Sequence, residues 1–153
     1  MTGNPEVIST LKQAISAERH MNLQMRQDKL SLKFLGAKKL AGKVDGFADD
    51  EHYFYQSLTK RMLLLGGDPS TDIAPTTEAD SLTGLLQNLL DLEMAVLAPY
   101  EQAIQTAMRA MDDGTRNLFE HLVKWHQKHV AWLEVQVNLI AALGEQGYLA
   151  EKL

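Results

Sequence analysis

Three glutamates and two histidines carry the chemistry that this sequence offers: Glu18, Glu51, Glu93, His126 and His129. The histidines lie in Trp125-His126-Gln127-Lys128-His129-Val130-Ala131-Trp132-Leu133-Glu134. On a helix, residues three apart are about 60° apart around the axis, so the two imidazoles share one face. Leu118, Leu122, Leu133 and Ile140 fall on the same arc, which sets both rings in an apolar stripe where water cannot serve them. Each glutamate is likewise the polar exception near the middle of an apolar run. A buried carboxylate without a partner is costly or takes up a proton. A cation of charge two or three would offset several at once. Carboxylate oxygens with imidazole nitrogens suit iron, manganese or zinc. The competing account, in which every glutamate snorkels or pairs with a local Lys or Arg, requires the same coincidence on three separate segments, with a histidine pair on the fourth.

Four helices must position these groups. Asn4-Pro5-Glu6 reads as a helix start, with Asn as the cap, Pro at the first position and an acid in the first turn. The segment to about residue 35 carries Val7, Leu11, Ala14, Ile15, Met21, Met25 and Leu32 around Glu18, and Gly36 ends it. A second helix, about 39–65, places Val44, Phe47, Phe54, Tyr55, Leu58, Met62 and Leu65 around Glu51, and Gly66-Gly67-Asp68-Pro69 stops it. The third, about 81–111, sets Leu82, Leu86, Leu89, Val96, Leu97, Tyr100 and Ile104 around Glu93, with a kink expected at Pro99. Asp112-Asp113-Gly114 is expected as a tight turn before a fourth helix, about 115–143, which Gly144 stops. Tyr148 to Leu153 is expected as a short terminal turn of helix. His20 and His121 read as ordinary polar-face residues.

Residues 67 to about 80 have no usable period and contain Pro69, Pro75 and a run of Ser, Thr and Asp. Extended, such a stretch spans about 45 Å, the length of a helix of about 30 residues. The expectation is a crossover that returns the chain to the same end of a bundle and leaves helices two and three parallel.

Composition narrows the function classes. The 153 residues suit a single domain over 1–153, with 45% hydrophobic and 23% charged residues. With no cysteine, disulfides and thiolate metal sites are excluded, and a cytoplasmic, reducing location is expected. No apolar stretch is long enough to span a membrane, and the N-terminus shows no signal-peptide core. A formal charge of −5 argues against nucleic acid as a partner.

The sequence resembles the ferritin-like carboxylate bundles, and bacterioferritin in particular, over nearly its whole length. The resemblance rests on Val7-Ile8 with Glu18, on Arg61-Met62-Leu63-Leu64-Leu65 followed by Gly67 and Pro69, on His129-Val130-Ala131-Trp132-Leu133-Glu134, and on Tyr148-Leu149 near the C-terminus. It implies an all-α fold: a ferritin-like four-helix bundle with a long crossover between helices two and three and a short C-terminal fifth helix. It implies iron storage and detoxification, with oxidation of Fe(II) by O2 or peroxide at a site within the bundle. Glu18, Glu51 and Glu93 would be the catalytic carboxylates, and with His126 and His129 they would hold the metal. The assembly implied is a homo-oligomer, from a dimer to a 24-subunit shell, or a shell mixed with a paralogue.

The sequence also departs from the family pattern. Glu-x-x-His on helix two is here Glu51-His52-Tyr53-Phe54, which loses one histidine ligand. On helix four it is His126-Gln127-Lys128-His129, so that a bridging carboxylate has become an imidazole. A tyrosine of helix one is here Met25. One metal near Glu93, His126 and His129 is easier to build from this set than a symmetric pair, with Glu18 and Glu51 as a weaker second position. His52 stands where the family places the methionine that binds haem b between two subunits, and histidine is itself a haem ligand. The alternative for His52 is a surface or dimer-interface residue. Two further readings stay open: a non-catalytic metal- or haem-binding subunit partnering an active paralogue, and a ferritin-like metalloenzyme with a mononuclear or mixed-metal site.

Overall fold

A computed structural model describes residues 3–152. Its helices are α1 (Pro5–Phe34), α2 (Lys38–Leu64), α3 (Leu82–Ala95), α4 (Leu97–Arg109) and α5 (Asp113–Glu151), with no strand among the described residues. At the start of α1, the Asn4 side chain accepts the amides of Glu6 and Val7, satisfying donors the helix cannot use itself. The helix ends in a Schellman turn in which Gly36, at φ 84°, lets the Ala37 amide reach the Leu32 carbonyl. α2 ends in the same way, with Gly66 at φ 78° and the Gly67 amide bonded to Met62. Both stops fall where the glycines place them.

α1 and α2 form one antiparallel hairpin, and α3–α4 with α5 forms the other. Between them the crossover runs along α1 in step with it. Ser16 donates to the Asp72 carbonyl, His20 to Ala74, and Gln24 and Gln27 to Thr77. The Thr77 amide returns a bond to the Gln24 side chain, and Thr76 donates to that of Gln27. A polar stripe on α1 therefore serves the backbone groups that irregular chain cannot satisfy alone. The crossover carries the chain from the end of α2 to the C-terminal end of α1, so α3 sets out beside the end of α1 and runs in the same direction as α2. His20, which reads in the sequence as a polar-face residue, is one of the anchors.

The third bundle helix is two helices. Its break lies at Val96 rather than at Pro99, because the missing Pro99 amide leaves the Ala95 carbonyl unpaired, one turn earlier. The next turn also sits earlier than Asp112-Asp113-Gly114. Met111 takes the left-handed conformation at φ 55°, and Asp112 caps α5 by accepting the Thr115 amide. Gly114 lies inside the first turn of α5, where a Cβ would come 2.7 Å from the Arg61 guanidinium. That closeness lets Arg61 pair with Asp112 and donate to the Thr115 hydroxyl, tying α2 to the start of α5. At Gly144, φ 73°, α5 turns into a short terminal helix over 145–151. Its Tyr148 is buried and donates to Gln136 at 2.7 Å. Leu153, the end of the expected terminal turn, lies outside the described residues.

The core has two apolar clusters. One gathers Leu40, Val44, Leu86, Leu89, Leu133 and Tyr148, and the other gathers Leu11, Ile15, Leu58, Tyr100, Phe119 and Leu122. On α2, α3 and α5 the buried charged residues fall in sequence between the members of these two clusters.

Candidate metal centre

The middle of the bundle brings all five of the expected residues inside. Glu18, Glu51, Glu93 and His126 are fully buried, and His129 is 2% exposed. Glu18, Glu51 and Glu93 come from α1, α2 and α3 and the two histidines from one turn of α5, and each is held by the apolar stripe on either side of it. Ligand atoms of Glu51, Glu93, His126 and His129 lie within 4.8 Å of one another. Glu18 stands outside that quartet, on the far side of His126.

His126 links the carboxylates. Its Nε2–H donates to Glu18, at 2.7 Å from Oε1 and 3.0 Å from Oε2, and its Nδ1–H donates to Glu93 Oε2. Burial pulls this imidazole's pKa down, but Glu18 and Glu93 more than reverse the effect and push it up to about 10. Burial raises Glu18 despite its bonds to His126 and Tyr100. Burial also raises Glu93, but bonds from Glu51, His126 and His129 outweigh it and hold this carboxyl well below the usual range.

His129 faces two ways. Its Nδ1 lies 3.0 Å from Glu93 Oε1 and 3.8 Å from Glu51 Oε1, while its Nε2 lies 3.0 Å from Asp50 Oδ2. The ring stacks on Phe47 with centroids 4.0 Å apart. Glu51 is the group left over. Neither of its oxygens meets an N–H or O–H donor. Burial and the neighbouring Glu93 push its pKa well above the usual value, so without a cation it takes up a proton, which Glu93 can accept as a hydrogen bond. A buried carboxylate lacking donors, beside a second carboxylate and an imidazole nitrogen, fits a hard or borderline divalent cation.

Two participants carry no motif in the sequence. Tyr100 donates its hydroxyl to Glu18 Oε2 at 2.9 Å, and burial with Glu18 raises its pKa well above the ordinary phenol. It lies two turns after Glu93 on the same face, which is the signal available for it. The phenol near the centre thus comes from α4, whereas Met25, at the position of the tyrosine expected on helix one, is part of the core. Asp50 neighbours Glu51 but points to His129 from the rim of α2, and no periodicity marks it. His52 is exposed on α2. It lines a pocket of about 190 Å³ with Arg19, Asn22, Leu23 and Tyr55, away from the buried centre.

An all-helical bundle with a crossover and a central carboxylate–imidazole cluster defines a class. The Ferritin-like domain model matches residues 8–143, and the chain belongs to the bacterioferritin/ferritin-like superfamily. A bacterioferritin of Streptomyces coelicolor is 30% identical, with 98% of this chain and 90% of the relative covered. A bacterial ferritin of Pseudomonas aeruginosa is 29% identical, with 100% of each chain covered. Among solved structures, the Mycobacterium tuberculosis bacterioferritin superposes with a TM-score of 0.95 at 26% identity, covering 100% of this chain and 97% of its own. Among the described residues, no helix is long and apolar enough to cross a membrane.

Proposed function

We propose that this chain is a bacterioferritin-like subunit that binds iron within its helical bundle and serves iron storage and detoxification in a homo-oligomeric shell. The observation that carries the reading is Glu51, a buried carboxylate with no donor, set beside Glu93 and His129. Glu51 and Glu93 offset a cation's charge, and Nδ1 of His129 supplies a neutral nitrogen. Asp50 fixes which nitrogen that is by holding Nε2. Iron, when bound, supplies electron transfer to O2 or peroxide, the chemistry that the relatives' family suggests for this position.

The test is metal content and Fe(II) oxidation, measured on the purified protein and on Glu51→Ala. The expected result is bound iron in the parent chain, largely lost in the variant, with oxidation by O2 or peroxide falling in parallel. Equal iron content in the two proteins would overturn the reading.

A further inference from the structure

We infer that the centre takes one metal ion per chain, held by Glu51, Glu93 and His129, and that the ring of His126 stands in place of a second, joining Glu18 to Glu93. The inference rests on the metal-binding reading above and narrows it. Its ground is the number of donor atoms still free. Both ring nitrogens of His126 are already engaged, Nε2 by Glu18 and Nδ1 by Glu93. Both oxygens of Glu18 are engaged as well, by His126 and by the Tyr100 hydroxyl. The α1 side of the centre therefore offers no vacant ligand.

The surroundings keep it so. The position one turn after Glu51 on α2 holds Phe54, a side chain with no donor atom. Its ring centroid lies 5.6 Å from that of His126, and those of Tyr100 and His129 lie 5.7 and 5.6 Å away. Three rings thus pack around the imidazole and fix its plane between the two glutamates. On the α2 side Nδ1 of His129 also meets Glu93, at 3.0 Å, and its Nε2 meets Asp50, so the free atoms there are the two oxygens of Glu51. Nδ1 of His129 faces Glu51 and Glu93 together. A pair of metals sharing a carboxylate bridge does not fit this donor set. A single ion does.

The experiment is anomalous scattering from crystals of the whole chain loaded anaerobically with Fe(II), counting only peaks inside the bundle. The expected result is one peak, in contact with Glu51, Glu93 and His129, with His126 still bonded to Glu18. In His126→Glu, two peaks are expected, because the substitution frees Glu18 and adds a carboxylate between the positions. Two peaks in the parent chain, or one peak touching Glu18 or His126, overturn the inference while leaving iron binding intact. A His126→Glu crystal that still shows one peak counts against it too. No peak in the parent chain defeats both readings. The parent-chain measurement stands alone if the variant does not fold.

Discussion

His126 Nε2 lies 2.7 Å from Glu18 Oε1, and both side chains are completely buried. With the second nitrogen on Glu93, one ring connects α5 to α1 and α3 through charge-assisted bonds. Removing one partner of such a set leaves an uncompensated buried charge, which costs far more than the pair contributes. His126→Leu is therefore expected to destabilise the metal-free protein by about 3–5 kcal/mol in denaturant unfolding. In the double variant with Glu18→Gln the loss should be smaller than the sum of the two single losses, since the residues share one network. Additive losses would show that they do not interact.

Tyr100 is the other donor to Glu18. Tyr100→Phe keeps the ring packed against Phe119, 5.4 Å away between centroids, and removes only the hydroxyl. A hydrogen bond to a charged group contributes about 1.5–3 kcal/mol, and a loss in that range is expected from the unfolding curve. A variant as stable as the parent would mean that Glu18 does not depend on the phenol.

Asp50 is partly open to solvent, at 35% side-chain exposure, yet it holds Nε2 of the buried His129. A carboxylate on the far nitrogen fixes the tautomer and raises the basicity of the near one. Asp50→Ala should weaken metal affinity roughly 10–100-fold in equilibrium titration, with the number of ions bound unchanged. A lower stoichiometry would instead make Asp50 a ligand.

Much of this could be read from the residues. Gly36, Gly66 and Gly144 each stop a helix where the chain needs a positive φ, and the three glutamates stand out because each interrupts an apolar stripe. The length of the 67–80 stretch implied the crossover. Its path was not legible, because Ser16, His20, Gln24 and Gln27 look like any solvent-facing stripe until an irregular segment is laid along them. Asp50 stayed hidden for a similar reason, since an acid one residue from Glu51 lies off the buried face. The break at Val96 shows a different limit: proline marks the residue that lacks a donor, whereas the chain bends where the acceptor is freed. Spacing put His126 and His129 on one face, but it could not say that both nitrogens of His126 would meet glutamates from other helices.

Met111 is a local misfit. It adopts φ 55° in the turn before α5 and is 88% exposed, so its side chain contributes little packing to offset the left-handed backbone. Met111→Gly should stabilise the protein by about 0.5–1 kcal/mol, with Met111→Ala giving no gain. The comparison is read from thermal unfolding, and an equal gain in both variants would place the effect in the side chain rather than in the backbone.

Asp28 gives the fold a pH dependence away from the metal centre. It is 4% exposed on α1 and accepts one bond from Gln24 at 3.1 Å, the same residue that anchors Thr77 of the crossover. Burial pushes its carboxyl up to about 6, beyond what the Gln24 bond lowers, and Glu78 adds repulsion. Because the folded value lies above the ordinary 3.8, the folded chain binds the extra proton. That contribution to stability is fully present below the unfolded value and is lost as the pH rises through about 6. Asp28→Asn mimics the neutral form and can keep the bond from Gln24. Its melting temperature should therefore exceed the parent's most clearly above pH 6, and the difference should shrink as the pH is lowered towards 4. A difference that stays constant across this range would show that Asp28 titrates alike in the folded and unfolded chain.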